Sequence, residues 1–196
     1  VFYRQPFQVN QDYSNIARLV QDKYKRLWIS SLAGVEVLGP GFKQIYSSNK
    51  VTYIKDKPLS AKTNDILISH DTVWIVCYKR GINLYDLNFH KLKTFMPGDG
   101  SGLTDDYIQR LFADSHVHIW LCGSNHLYMY QKDKFRPFNF NKDGRAFTVN
   151  DIAELPDGDI MLASKSFLCQ LKGNNFTCKR ISSLLIDDNN VIWVSI

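Results

Sequence analysis

Three of the four tryptophans in this 196-residue chain fall at equal intervals: Trp28, Trp74 and Trp120 are each 46 residues apart. Each sits between apolar residues, as Leu27-Trp28-Ile29, Val73-Trp74-Ile75 and Ile119-Trp120-Leu121. The fourth, Trp193, lies 73 residues beyond Trp120, and Ile160-Met161-Leu162 between them supplies a copy with Met161 in the tryptophan place. Self-similarity at roughly 40–50 residues marks a chain built from repeated supersecondary units, and no other feature limits the fold as tightly.

The flanks of each tryptophan recur too. Ile16, Ile108 and Ile181 stand twelve residues upstream, with Leu19, Leu111 and Leu184 three residues further on. Asp22, Asp114 and Asp187 lie six residues upstream, where an aspartate supports a turn by bonding its own backbone. Alternating apolar segments follow at Gly34–Leu38, Gly81–Tyr85, Leu127–Tyr130 and Phe167–Leu171, then Phe-led segments at Phe42–Tyr46, Phe89–Phe95 and Phe135–Phe138. Each unit therefore holds four short runs of period-two alternation, separated by Asp, Asn, Gly and Lys turns. Composition agrees, since 17 Asp against 2 Glu, only 7 Ala, and 12 Phe with 10 Tyr favour strands and turns over helices.

Four strands in such a period make a propeller blade. The expected fold is all-β, a partial β-propeller of four-stranded antiparallel blades. A leading strand is expected over 1–8, blades over about 16–46, 63–95, 107–138 and 149–178, and a trailing hairpin over 181–196. Trp28, Trp74, Trp120, Met161 and Trp193 mark equivalent places, packed between neighbouring blades. The incomplete units at either end read as a piece of a longer protein, or as two ends that combine into one incomplete blade; the first is preferred.

Several function classes lose their footing. The 44% apolar content suffices for a packed core, and no stretch approaches the roughly 18 uninterrupted apolar residues of a membrane helix. No segment resembles a signal peptide. The net charge is +5, but no Lys/Arg run exceeds two and no nucleic-acid motif occurs, so nucleic-acid contact is not expected. His116 and His118 alternate with apolar residues, yet they fall in an expected hairpin turn and no third ligand has motif spacing, so no metal is expected. His70, His90 and His126 are scattered at turn-like positions. An aspartate repeated in every unit is structural, because a catalytic group is needed once. No Gly-x-Ser-x-Gly, His-Glu-x-x-His or phosphate-cradling loop is present, so no catalytic residue, cofactor or enzymatic activity is expected. Tyr24, Tyr78 and Tyr107, near strand ends, are candidates for stacking on sugar rings, against the plainer reading of blade packing or simple exposure.

Cys169 and Cys178 flank Lys172-Gly173-Asn174-Asn175, and either a two- or a four-residue loop there places them directly opposite each other. Opposed cysteines come within bridging range. Two buried thiols acting as small hydrophobes is the commoner reading, and a bridge is the alternative. Cys77 and Cys122, three and two residues past their tryptophans, point to opposite sheet faces and stay unpaired.

The pattern Ile-x-x-Leu-x-x-Asp-x5-Trp, followed by Gly-[Ile/Val]-x-[Leu/Val]-Tyr-Asp, resembles the two-component regulator propeller repeat. The run Asp105-Asp106-Tyr107-Ile108-Gln109-Arg110-Leu111-Phe112-Ala113-Asp114, ending at Trp120, and the run Gly81-Ile82-Asn83-Leu84-Tyr85-Asp86 are close matches. The opening, from Phe2-Tyr3-Arg4 through Tyr13-Ser14-Asn15-Ile16 to Trp28, resembles the start of the mature periplasmic sensor in hybrid two-component systems of the Bacteroidetes. The resemblance implies an extracytoplasmic, periplasmic sensor module. It would respond to oligosaccharides and pass the signal to a histidine kinase outside this segment. The implied partners are a glycan ligand, the remaining propeller blades of the same protein and a second receptor in a homodimer; the membrane would be reached only through other segments. The chain departs from the usual Trp-Ile-Gly-Thr at Trp28-Ile29-Ser30-Ser31, Trp74-Ile75-Val76-Cys77 and Trp120-Leu121-Cys122-Gly123. A structural protein-interaction propeller, or a propeller-fold carbohydrate-active enzyme, is the alternative reading.

Overall fold

The four alternating runs of each repeat fold as four antiparallel strands, hydrogen-bonded in sequence order. The computed structural model describes residues 16–47, 62–139, 149–164, 167–180, 183–186 and 192–195. The first sheet contains β1 (Ile16–Gln21), β2 (Leu27–Ser31), β3 (Gly34–Leu38) and β4 (Gln44–Ser47). The second contains β5 (Thr63–Ser69), β6 (Thr72–Cys77), β7 (Ile82–Asp86) and β8 (Lys91–Phe95). The third contains β9 (Ile108–Ala113), β10 (Ile119–Gly123), β11 (His126–Gln131) and β12 (Lys134–Asn139), and the fourth β13 (Val149–Glu154), β14 (Ile160–Ser164), β15 (Phe167–Lys172) and β16 (Asn175–Arg180). β17 (Ser183–Ile186) then pairs with β18 (Ile192–Ser195), setting Leu185 opposite Trp193. Among the described residues the helical content is one 3-10 turn at Pro40–Phe42. The strand expected over 1–8 lies outside the described residues.

The chain divides into two compact units, Val1–Lys93 and Thr94–Ile196. In the first, the Trp28 face of the first sheet, with Val35 and Val37, packs on Ile66, Val73, Ile75, Cys77, Tyr85 and Leu87 of the second. In the second unit the Trp120 face, with Cys122, Leu127 and Phe138, packs on Val149, Ile152, Ile160, Leu162 and Cys169 of the fourth sheet. Complete burial of each large side chain in these layers contributes about 2–3 kcal/mol. Cys77 thus faces the sheet before it and Cys122 the sheet after it, and both keep their thiols in the core.

The first strand of each four-stranded sheet begins with a bulge. The register shifts between Ile16 and Arg18 on β1, Thr63 and Asp65 on β5, and Val149 and Asp151 on β13. On β9 it shifts opposite Cys122/Gly123, leaving Gln109 extra. One additional residue returns a side chain three positions on to the same face. Ile16 and Leu19 therefore share a face, as do Thr63 and Ile66, Ile108 and Leu111, and Val149 and Ile152.

Three hairpins share one turn. In Asp22–Arg26, Asp86–His90 and Asp114–His118 the aspartate N–H donates to the carbonyl four residues on at 3.0, 2.9 and 3.1 Å. The residue before that carbonyl takes a left-handed backbone, at Lys25 (φ 59°), Phe89 (φ 71°) and Val117 (φ 67°). This is the three-residue hairpin loop, a type I turn closed by a left-handed residue. Leu155–Asp159 repeats it with Gly158 (φ 86°) in the left-handed seat.

Cys169 and Cys178 face each other across β15 and β16, and their sulfurs are bonded at 2.11 Å. The reading of two buried thiols does not hold for Cys178, which is exposed on the outermost strand while Cys169 is buried.

Candidate functional site

A four-stranded meander has two ends. At one, the entering segment meets the hairpin between the second and third strands; at the other lie the first–second and third–fourth hairpins. The entry end of the third sheet holds a connected polar network. Asp105 is buried in the segment before β9. Its Oδ2 accepts the backbone N–H of Asn125 (2.8 Å) and His126 (3.0 Å), while its Oδ1 lies 3.0 Å from His126 Nδ1. The Tyr128 hydroxyl accepts the Asp105 N–H (3.0 Å) and lies 2.7 Å from Thr104 Oγ1. A Cβ at Gly123 would collide with the Asp105 carboxylate, so the close approach needs glycine there.

A carboxylate only accepts, so Nδ1 of His126 donates its proton to Asp105. The ring is about a third exposed. Burial pushes the Asp105 carboxyl up, but the donors from Asn125 and His126 outweigh it and hold the group below its usual value. The result is an oriented imidazole at the entry end of the sheet, where the carbonyl of exposed Tyr107 accepts the Ser124 N–H at 3.1 Å.

At the opposite end of the same unit, the β9–β10 and β13–β14 turns are clamped together. Glu154 accepts the Ser115 N–H at 2.7 Å and the Ser115 hydroxyl at 2.8 Å. A recess of about 450 Å³ opens there, lined by Ser115, His116, Glu154, Leu155, Pro156, Asp157 and Gly158. His116 stacks on His118 at 6.1 Å, and His118 Nδ1 lies 2.9 Å from Asp114 Oδ2. Among the described residues no three His, Cys, Asp or Glu side chains converge as a metal set.

Tyr24 and Tyr78, two of the three tyrosines singled out from the sequence, lie at opposite ends of one unit. Tyr24 lies in the β1–β2 turn, with Lys23 Nζ and the Arg26 guanidinium 5.4 and 4.8 Å from its ring centroid. The neighbouring Lys23 bonds Asp71 of the β5–β6 turn at 2.6 Å. Tyr78 lies at the other end of that unit, in the β6–β7 turn, and Tyr107 belongs to the second unit. The Asp105–His126 pair escaped the sequence reading. Asp105 was visible only as part of a repeat match, and no local spacing joins residues 21 apart.

No protein-family model matches the chain, and no curated protein matches it. Solved structures share the fold. The extracellular domain of the putative hybrid two-component system BT3049 from B. thetaiotaomicron is 19% identical with a TM-score of 0.68, over 92% of this chain and 26% of that one. The corresponding domain of BT4673 from B. thetaiotaomicron is 17% identical with a TM-score of 0.69, over 95% and 26%. Virginiamycin B lyase from Staphylococcus aureus is 13% identical with a TM-score of 0.70, over 94% and 64%. The chain thus spans about a quarter of the two-component domains it resembles. The fold is all-β, of β-propeller blades.

Proposed function

We propose that this chain is part of an extracytoplasmic sensor propeller in a hybrid two-component regulator, located in the periplasm. It responds to oligosaccharides and passes the signal to a kinase outside this segment, without enzymatic activity of its own. The observation carrying this reading is the agreement of blade architecture over more than nine-tenths of the chain with two such extracellular domains. Further propeller blades of the same protein are proposed partners. In support, Ile16 and Leu19 are 56% and 51% exposed, whereas their equivalents Ile108 and Leu111 are 3% and 1% exposed. A homodimer of the full-length receptor is proposed from the repeat resemblance. The test is a thermal-shift screen of oligosaccharides against this chain and against the complete ectodomain. A rise in melting temperature with one glycan class supports the reading, and no response from either protein across the panel removes it.

One observation favours the alternative of a carbohydrate-active enzyme: Asp105 orients the His126 ring as a base would be oriented. Incubating the same glycans with the chain and assaying new reducing ends tests this. The sensor reading expects none.

A further inference from the structure

We infer that the entry end of the second sheet is a binding site for anionic saccharides, a claim that rests on the oligosaccharide-sensing reading and narrows its ligand class. The first unit carries the chain's positive charge, with 14 Lys and Arg against 7 Asp and Glu over residues 1–93, while residues 94–196 carry 10 against 12. Part of that charge is gathered around one exposed ring. Tyr78 opens the turn Tyr78-Lys79-Arg80-Gly81, and its N–H donates to the Lys62 carbonyl at 2.8 Å, which fixes the entering segment beside the turn. Lys62 Nζ and Lys79 Nζ then stand 5.0 and 5.5 Å from the Tyr78 ring centroid.

The turn itself is held by Cys77 N–H to the Gly81 carbonyl (3.0 Å) and Arg80 N–H to the Cys77 carbonyl (3.0 Å). Lys79 sits in the left-handed region at φ 54°, a conformation retained only because the surrounding bonds enforce it. Lys62, Tyr78, Lys79 and Arg80 are all exposed. Lys62 and Lys79 enter no ion pair among the described residues, and Asp65, on the same strand end, is buried and lies 3.8 Å from Arg18 instead.

The chemistry selects a class of ligand. Two exposed ammonium groups, with Arg80 next to Lys79 in the same turn, recognise sulfate or carboxylate groups. The exposed Tyr78 ring beside them gives a sugar ring an apolar contact surface, which an acidic peptide cannot use in the same way. A uronic-acid or sulfated saccharide satisfies both halves of the site. The second–third hairpins of the first and third sheets, Leu32-Ala33 and Ser124-Asn125, carry no cation.

The test measures binding of dextran sulfate, polygalacturonate, neutral dextran and poly-glutamate to the 196-residue chain at about 0.15 M salt, where surface charges are screened beyond about 8 Å. Dextran sulfate or polygalacturonate should bind at least tenfold more tightly than dextran and poly-glutamate. The triple variant Lys62→Gln/Lys79→Gln/Arg80→Gln should lose at least tenfold, and Tyr78→Ala several-fold at unchanged charge. The pair Lys23→Gln/Lys25→Gln, at the other end of the unit, should leave binding unaltered. Equal binding by the triple variant, or equal affinity for poly-glutamate, overturns the site. Tight binding of a neutral glycan without preference for the anionic ones overturns it too, while leaving the sensor reading in place.

Discussion

At Asp22 and Asp114 a single carboxylate joins the turn to the core. One oxygen of Asp22 accepts the N–H groups of Tyr24 and Arg26, while the other accepts the Trp28 indole N–H at 2.9 Å. Asp114 repeats this, taking the Trp120 indole N–H at 2.8 Å. A buried indole needs an acceptor, and an aspartate six residues earlier in a three-residue loop supplies it. The sequence period of Asp and Trp was legible, but the bond between them was not, since turn formation alone accounts for an aspartate there. The fourth sheet offers a control within the chain, where Leu155 and Met161 replace both partners together. Asp114→Ala should cost about 1–3 kcal/mol, the usual loss when a buried donor is left unmet. In a Trp120→Phe background the same change should cost less; urea denaturation of the double-mutant cycle checks it. Asp22, Asp105 and Asp114 also set the acid behaviour. Burial raises each carboxyl, but hydrogen bonds from Trp28 and Arg26, from Asn125 and His126, and from Trp120 and His118 respectively hold all three below 3.8. A group lowered by folding stabilises fully above its unfolded value, and that contribution is lost as the pH falls through the folded one. Stability should therefore fall steeply below about pH 4. Asp105→Asn should flatten that slope, read from urea midpoints between pH 2.5 and 6.

Among the elements, the first strands show why periodicity alone misleads. A spacing of three between Ile108 and Leu111 fits a helix better than a strand, yet both lie on one face because Gln109 is the bulge residue. That residue is then used: Gln109 Oε1 accepts the Val149 N–H at 2.6 Å, locking the third sheet to the fourth. The strands and their order could be read from alternation; the bulges could not, because the spacing of three that they produce is shared with a helix. The turns differ in strain. Val117 is β-branched and held at φ 67°, where an L-residue pays about 1–2 kcal/mol. Val117→Gly should raise stability by up to about 1 kcal/mol after the added freedom of the unfolded chain is deducted. The converse change, Gly158→Val in the equivalent seat, should lower it by about 1–2 kcal/mol. Thermal and urea midpoints of the two variants should move in opposite directions.

For the whole molecule, the repeat allows one substitution to be compared at two equivalent places. Leu111→Lys puts a charge in a buried layer and should cost more than about 3 kcal/mol, whereas Leu19→Lys, at the exposed equivalent, should change stability by less than about 0.5 kcal/mol. Chemical denaturation of the two variants settles the contrast, and similar losses would mean that the Leu19 face is covered within this chain. Blade architecture was readable because every repeat votes on it. The candidate sites were not, because each draws on a turn and an entering segment that only the fold brings together, as Lys62 is brought to Tyr78. The stacking of the sheets carries one more consequence. In both units the tryptophan-bearing face of one sheet covers the bulged first strand of the next, never tryptophan face against tryptophan face. Such a contact is heterologous, so a row of these sheets has a polarity, with a donor face at one end and an acceptor face at the other. Any two such rows are complementary head to tail, and only closure into a ring or a dissimilar cap can stop them from growing.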